Sequence, residues 1–162
     1  MKYILNTALS LFVLVGLVSC EEDFGTFNRD NRPEVPVMFT NATSFGHDPF
    51  VEVSQDETIE FVLEIPENSG RTITEIRKVA AGGTAINIAT LNNSASYIDA
   101  PIPGSGNSVT FSTTLEEFRE KRPGTTVTVP ATGFTEIAFL FEVILDNNES
   151  IVSMRARARI SQ

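Results

Sequence analysis

Thr135-Glu136-Ile137-Ala138-Phe139-Leu140-Phe141-Glu142-Val143-Ile144-Leu145, then Asp146-Asn147-Asn148-Glu149, then Ser150-Ile151-Val152-Ser153-Met154-Arg155-Ala156-Arg157-Ala158-Arg159-Ile160 is the stretch that decides the fold. Two runs with period-two patterning flank a polar turn, which is the signature of a β-hairpin. Asparagine tolerates positive φ, so Asn147 and Asn148 are predicted to form a two-residue loop. Paired positions then sum to 295, which sets Phe141 against Met154, Phe139 against Ala156 and Ile137 against Ala158 on the inner face. On the outer face Glu136 meets Arg159, and the parity is consistent along both strands.

Working towards the N-terminus, Thr58-Ile59-Glu60-Phe61-Val62-Leu63-Glu64-Ile65 puts four apolar residues on one side and Glu60 and Glu64 on the other, as a half-buried strand does. Val35, Val37 and Phe39, then Phe50 to Val53, then Val109 to Thr113 read the same way. Residues 73–80 and 85–91 are predicted as two strands joined at Gly82-Gly83. Thr114-Leu115-Glu116-Glu117 offers a threonine N-cap with glutamate three residues on, so one short helical turn is expected before Pro123-Gly124, bridging two sheets. The expected fold is all-β: a single immunoglobulin-like antiparallel sandwich of about seven or eight strands over residues 35–162.

The other decisive stretch is Leu17-Val18-Ser19-Cys20-Glu21-Glu22-Asp23. Lys2 precedes an apolar run over residues 9–18, with Gly16 and Ser19 near its end, the layout of a secretory signal. The run is shorter than the roughly 20 apolar residues of a membrane span. Residues 1–19 therefore read as a cleaved signal peptide, Cys20, the one cysteine, as a lipidation site, and residues 20–34 as a flexible tether. Leu-Val-Ser-Cys resembles the lipobox of bacterial lipoproteins, which implies a diacylglycerol thioether on Cys20 and an acylated, palmitate-type amine after cleavage.

Removing residues 1–20 leaves 142 of the 162 residues, with 11 basic side chains against 21 acidic ones and a net charge of −10. Such a surface repels nucleic acid and anionic lipid, so neither is expected as a partner. The membrane would be reached through the lipid on Cys20. No cofactor motif is present: Gly82-Gly83 and Gly104-Ser105-Gly106 read as turns, because neither opens a helix.

Catalytic and metal chemistry find little to stand on. His47, the single histidine, sits beside Asp48 in a loop without a positioned nucleophile. One histidine and one lipidated cysteine do not make a zinc site, and Asp56-Glu57, Asp99 and Asp146 to Glu149 lack the spaced ligands of a calcium loop, so no metal is expected. Glu116 and Glu117 are neighbours on a helix and do not face a shared substrate. The chain reads as a non-enzyme.

Two surface candidates stand out. Arg155, Arg157 and Arg159 alternate with small and apolar residues and form a basic stripe, either paired across strands with Glu136 and Glu142 or free as a docking edge for an acidic partner or a sugar. Val62, Leu140, Ile144 and Ile151 are predicted to face outward beside it. Sugar platforms use exposed aromatic faces, and after cleavage the one tyrosine is Tyr97, beside Asp99, which makes this pair the candidate glycan contact.

The lipobox, the acidic residues after it, the tether and the sandwich together resemble a Bacteroidota-type surface lipoprotein. Val109-Thr110-Phe111-Ser112-Thr113-Thr114-Leu115-Glu116-Glu117-Phe118, then Pro123-Gly124 and the final hairpin, are similar to the N-terminal domains of accessory lipoproteins of starch-utilisation-type systems. That resemblance implies an outer-membrane, surface-exposed lipoprotein working alongside a transporter and a glycan-capturing partner lipoprotein, as an adaptor or as a small glycan binder.

Overall fold

The computed structural model describes residues 33–44 and 48–162, and Val35–Gln162 forms one compact unit. Its strands are β1 (Met38–Phe39), β2 (Phe50–Ser54), β3 (Ile59–Glu64), β4 (Ile73–Gly82), β5 (Ile102–Pro103), β6 (Ser108–Thr113), β7 (Thr135–Leu145), β8 (Ser150–Val152) and β9 (Ala156–Ser161). Two short helices, α1 (Ile88–Asn93) and α2 (Leu115–Lys121), interrupt them. One sheet runs β1-β3-β6 and the other β2-β9-β7-β4-β5, with β8 also on β7. This is an all-β sandwich: β3 and β6 take the places of immunoglobulin strands B and E, and β4, β7 and β8–β9 those of C, F and G.

The sheets meet through the alternate residues that the sequence marks as apolar. Ile59, Phe61 and Leu63 of β3 and Val109 and Phe111 of β6 are buried against Ile137, Phe139, Phe141 and Val143 of β7 and Ala156, Ala158 and Ile160 of β9. The small Ala156 and Ala158 leave room for the phenylalanines, whose rings pack edge-on or tilted at centroid separations of 5.2 to 6.0 Å, with Phe139 and Phe141 stacked at 6.4 Å.

The first strand is split between the sheets. β1 pairs antiparallel with β3, whereas β2 crosses over and pairs with β9 in parallel, from Phe50 opposite Arg157 to Ser54 opposite Ser161. The purely antiparallel expectation is corrected there, because a chain that switches sheets continues in its own direction and meets the last strand running the same way.

The final hairpin keeps the predicted register over its far half and departs from it near the turn. Glu136 opposes Arg159, Ile137 opposes Ala158 and Phe139 opposes Ala156, as expected. Near the turn, however, Val143 opposes Ile151, one position out of that register. The loop has three residues: Asn148 N–H donates to the Leu145 carbonyl at 3.0 Å, Leu145 N–H to that of Glu149 at 3.0 Å, and Asn148 takes φ 64°. A bulge at residues 153–155 absorbs the extra position. Phe141 therefore opposes Ser153, bonded through N–H to carbonyl at 2.9 Å, and not Met154, which is 59% exposed.

Residues 85–91 form a turn and α1, not the expected strand. Asn87 Oδ1 accepts from the N–H groups of Ala89 at 2.9 Å and Thr90 at 3.2 Å, while Thr90 Oγ1 accepts from Asn87 N–H at 3.3 Å. That reciprocal cap satisfies the orphan donors of a first helical turn. The turn from Gly82 lays Ile86 and Leu91 over Ala80, Ala138 and Leu140, a second small core on the outer side of the larger sheet. The predicted outward patch is thereby corrected: Leu140 and Ile144 are 5% and 2% exposed, Ile151 belongs to the main core, and Val62 is half-buried.

α2 begins as the sequence indicates. Thr114 Oγ1 accepts from Glu117 N–H at 3.1 Å, and Leu115 and Phe118 turn into the core. The Glu117 carboxylate accepts from Thr113 Oγ1 at 2.8 Å and pairs with Lys121 at 3.0 Å.

Candidate functional site

Strand β9 carries Arg157 and Arg159 on the outer face of the larger sheet, where alternation requires them, and Arg155 stands immediately before the strand. β9 lies between β2 and β7 and is not an edge of its sheet. Each guanidinium is met by carboxylates that the split first strand and β7 bring to it. Arg155 pairs with Asp48 at 2.5 Å and also donates to the carbonyl of Thr84. Arg157 pairs with Glu136 at 3.2 Å, and its buried Nε stands 3.9 Å from Asp48 without a hydrogen bond. Arg159 pairs with Glu136 at 2.9 Å and Glu52 at 3.6 Å, with its guanidinium over the Phe50 ring at 3.6 Å and the Phe134 ring at 4.8 Å.

The stripe is thus a ladder of three arginines and three carboxylates, Asp48, Glu52 and Glu136. Cross-strand pairing with Glu136 is present; Glu142 instead accepts from the Ser150 hydroxyl at 2.8 Å. Partial burial makes such pairs stronger than exposed ones, because less water screens them. The ladder clamps the crossover segment onto β9. Phe50 and Phe134, which sandwich Arg159, were not marked by the sequence reading; the signal available was their position flanking outward-facing strand residues.

Tyr97 is corrected as a glycan contact. It is 2% exposed, packs against Phe111, Phe118 and Phe139 at 5.8 to 6.3 Å, and shares a 2.6 Å hydrogen bond with Thr113 Oγ1. A ring enclosed in this way offers no face to a sugar. Asp99 stays at the surface, where it pairs with Lys121 at 3.1 Å. Burial pushes the Tyr97 phenol above its ordinary 10.0, with the Thr113 hydrogen bond opposing in part. The folded state therefore holds the proton more tightly than the unfolded one, and this contribution is complete below about pH 10 and is lost as pH rises through the raised value. Thermal melts of the wild type between pH 8 and 11 are expected to show an alkaline fall in Tm that is shallower in Tyr97→Phe; identical slopes would rule this origin out.

The acidic loops are tied locally. Glu57 accepts from Ser54 N–H at 2.8 Å and Asp146 pairs with Arg71 at 3.1 Å. Among the described residues no three His, Cys, Asp or Glu side chains converge as a metal site would require. Cys20 and His47 lie outside the described residues.

One open groove of about 1050 Å³ lies where the crossover leaves β1, walled by Met38, Phe39, Pro49 and Met154, with Asp48 and Arg155 at one end. Met38 is 44% exposed and Met154 59%. Asp48 and Arg155 pair with each other, and Thr40, Ser44 and Arg157 add polar groups to an otherwise apolar wall. No protein-family model, curated protein or solved structure matches the chain.

Proposed function

We propose that this chain is a non-enzymatic, lipid-anchored cell-envelope protein that acts as an adaptor or accessory subunit of an outer-membrane assembly of the nutrient- or glycan-uptake type. The observation that carries the reading is Cys20, the sole cysteine, at the junction of an apolar run and Glu21-Glu22-Asp23. Lipidation there would hold the sandwich at a membrane surface at the end of its tether. No helix among the described residues is long and apolar enough to cross a membrane. The arginine ladder and the local ties of the acidic loops use these side chains to hold the fold, which agrees with a scaffold role for the sandwich.

The test is affinity capture of the anchored protein from its native cells in mild detergent, with the recovered proteins identified by mass spectrometry. A transporter and a partner lipoprotein in stoichiometric yield are the expected result. Recovery of the protein alone, at cross-linker concentrations that retain known envelope complexes, overturns the adaptor reading.

A further inference from the structure

Every sheet has two edges, and an edge with free main-chain groups is a template for another strand. The edges at β1, β2 and β5 are blunted, and β8, which pairs only with β7, is three residues long. β1 and β5 are two residues each, and β5 ends in Pro103. On β2, Phe50 exchanges both main-chain bonds with Thr43 at 2.8 and 2.9 Å, and Ser54 is closed by Glu57, which leaves Glu52 with its charge. Where β4 runs past β5, the Val79 carbonyl accepts from Tyr97 N–H at 2.7 Å and the Ala81 carbonyl from Arg122 Nε at 3.1 Å.

β6 is the exception. Its ladder to β3 pairs Phe111 with Phe61 and Val109 with Leu63, and Ile65 N–H donates to the Asn107 carbonyl at 2.9 Å. The odd-numbered residues of β6 therefore turn their main-chain groups towards β3, and Ser108, Thr110 and Ser112 turn theirs away. Ser108 is closed by Ser105 at 2.8 and 3.2 Å. Thr110 and Ser112 have no outward partner among the described residues. Ser108-Val109-Thr110-Phe111-Ser112-Thr113 contains no charge and no proline, and its register with β3 is unbroken.

The side chains next to this edge indicate what fits it. Across β6, Glu60 lies opposite Ser112, Val62 opposite Thr110 and Glu64 opposite Ser108, all on the outer face. Neither Glu60 nor Glu64 has an ion-pair partner among the described residues. A strand added to β6 stands about 10 Å from β3, two strand spacings. Serine is too short to block that span, and lysine or arginine is long enough to cross it. We infer that Ser108–Thr113 is the docking edge for an extended basic segment of another polypeptide, which joins the sheet as a short strand with alternate Lys or Arg side chains reaching Glu60 and Glu64. A second copy of this chain fits less well, since its formal net charge of −9 repels its like.

This inference rests on the adaptor reading for its setting, but it is tested on purified protein, so its failure and the failure of that reading are separate results. The full chain in detergent is titrated by fluorescence anisotropy against a labelled hexapeptide of alternating lysine and valine, the same peptide fully N-methylated, and a glutamate-for-lysine version. The expected result is saturable binding of the first, at least tenfold weaker binding of the other two, and a tenfold or greater loss in the Glu60→Lys, Glu64→Lys double variant at unchanged Tm. Thr110→Pro, which removes an outward N–H and leaves the ladder to β3 intact, is expected to abolish binding. Equal binding of the N-methylated or acidic peptide, or no saturation, overturns the inference. So does a concentration-dependent dimer in sedimentation that Thr110→Pro dissolves, which would make a second copy the occupant.

Discussion

Replacing Phe139 by alanine is expected to lower the unfolding free energy by about 3 to 5 kcal/mol. The side chain is fully buried, and its ring lies 5.7 Å from that of Phe61, 5.8 Å from Tyr97, 5.4 Å from Phe111 and 6.0 Å from Phe118. Those neighbours come from β3 and β6 of the smaller sheet, from the connection after α1, and from α2. A hole at their meeting point cannot be closed by moving one element, because each is held by its own ladder or cap, so the cavity term stays close to its full size. For a domain of this length the loss corresponds to a fall in Tm of roughly 10 to 20 °C. Phe134→Ala is the control: that ring is 52% exposed, and its removal is expected to cost about 1 kcal/mol or less. Urea unfolding of both variants reads the difference, and a cost below about 1 kcal/mol for Phe139→Ala would mean that the cluster is not the centre of the core.

The second large effect concerns attachment. Under the proposed anchoring, Cys20→Ala is expected to move the protein from the membrane fraction to the soluble fraction and to abolish incorporation of labelled palmitate. Each buried methylene contributes about 0.8 kcal/mol, so two or three acyl chains on one residue hold a protein stably where a single chain does not. With a net charge of −10 on residues 21–162, the polypeptide adds repulsion from anionic headgroups and no attraction of its own. Membrane retention of the alanine variant would show that something other than lipid holds it.

The two-sheet architecture was legible because period-two alternation reports one buried face, and β3 and β6 obey it, whereas β7 is a nearly continuous apolar run buried on both faces. The far half of the final hairpin was legible for the same reason: a slip of one residue would have turned Ala156 and Ala158 outward. The bulge at residues 153–155 was not, since Ser153 carries no sign that it opposes Phe141. α1 was misread because Ala85, Ile86, Ile88 and Leu91 suit a short buried strand as well as a helix; the cap at Asn87 and Thr90 was the available signal. The parallel pairing of β2 has no local turn to announce it. At the candidate site, the arginines were placed on the correct face, and Glu136 was foreseen, but Asp48 and Glu52 arrive through that parallel crossover and so could not be paired in advance. Tyr97 was taken for a surface residue because it is the one tyrosine after cleavage, beside Asp99 and outside the alternating strands; its ring is claimed by Phe111, Phe118 and Phe139, all distant in sequence.

The crossover of the first strand also sets the order in which the molecule can be completed. Phe50 meets Arg157 and Ser54 meets Ser161 over a separation of 107 positions, so β2 has no ladder until the last dozen residues are present. Closing so long a loop is entropically costly before any contact rewards it, which places such topologies among the slow folders, in milliseconds to seconds. A chain emerging N-terminus first therefore holds β2 without its ladder throughout synthesis, and the arginine ladder beside it acts as the latch that ends this interval.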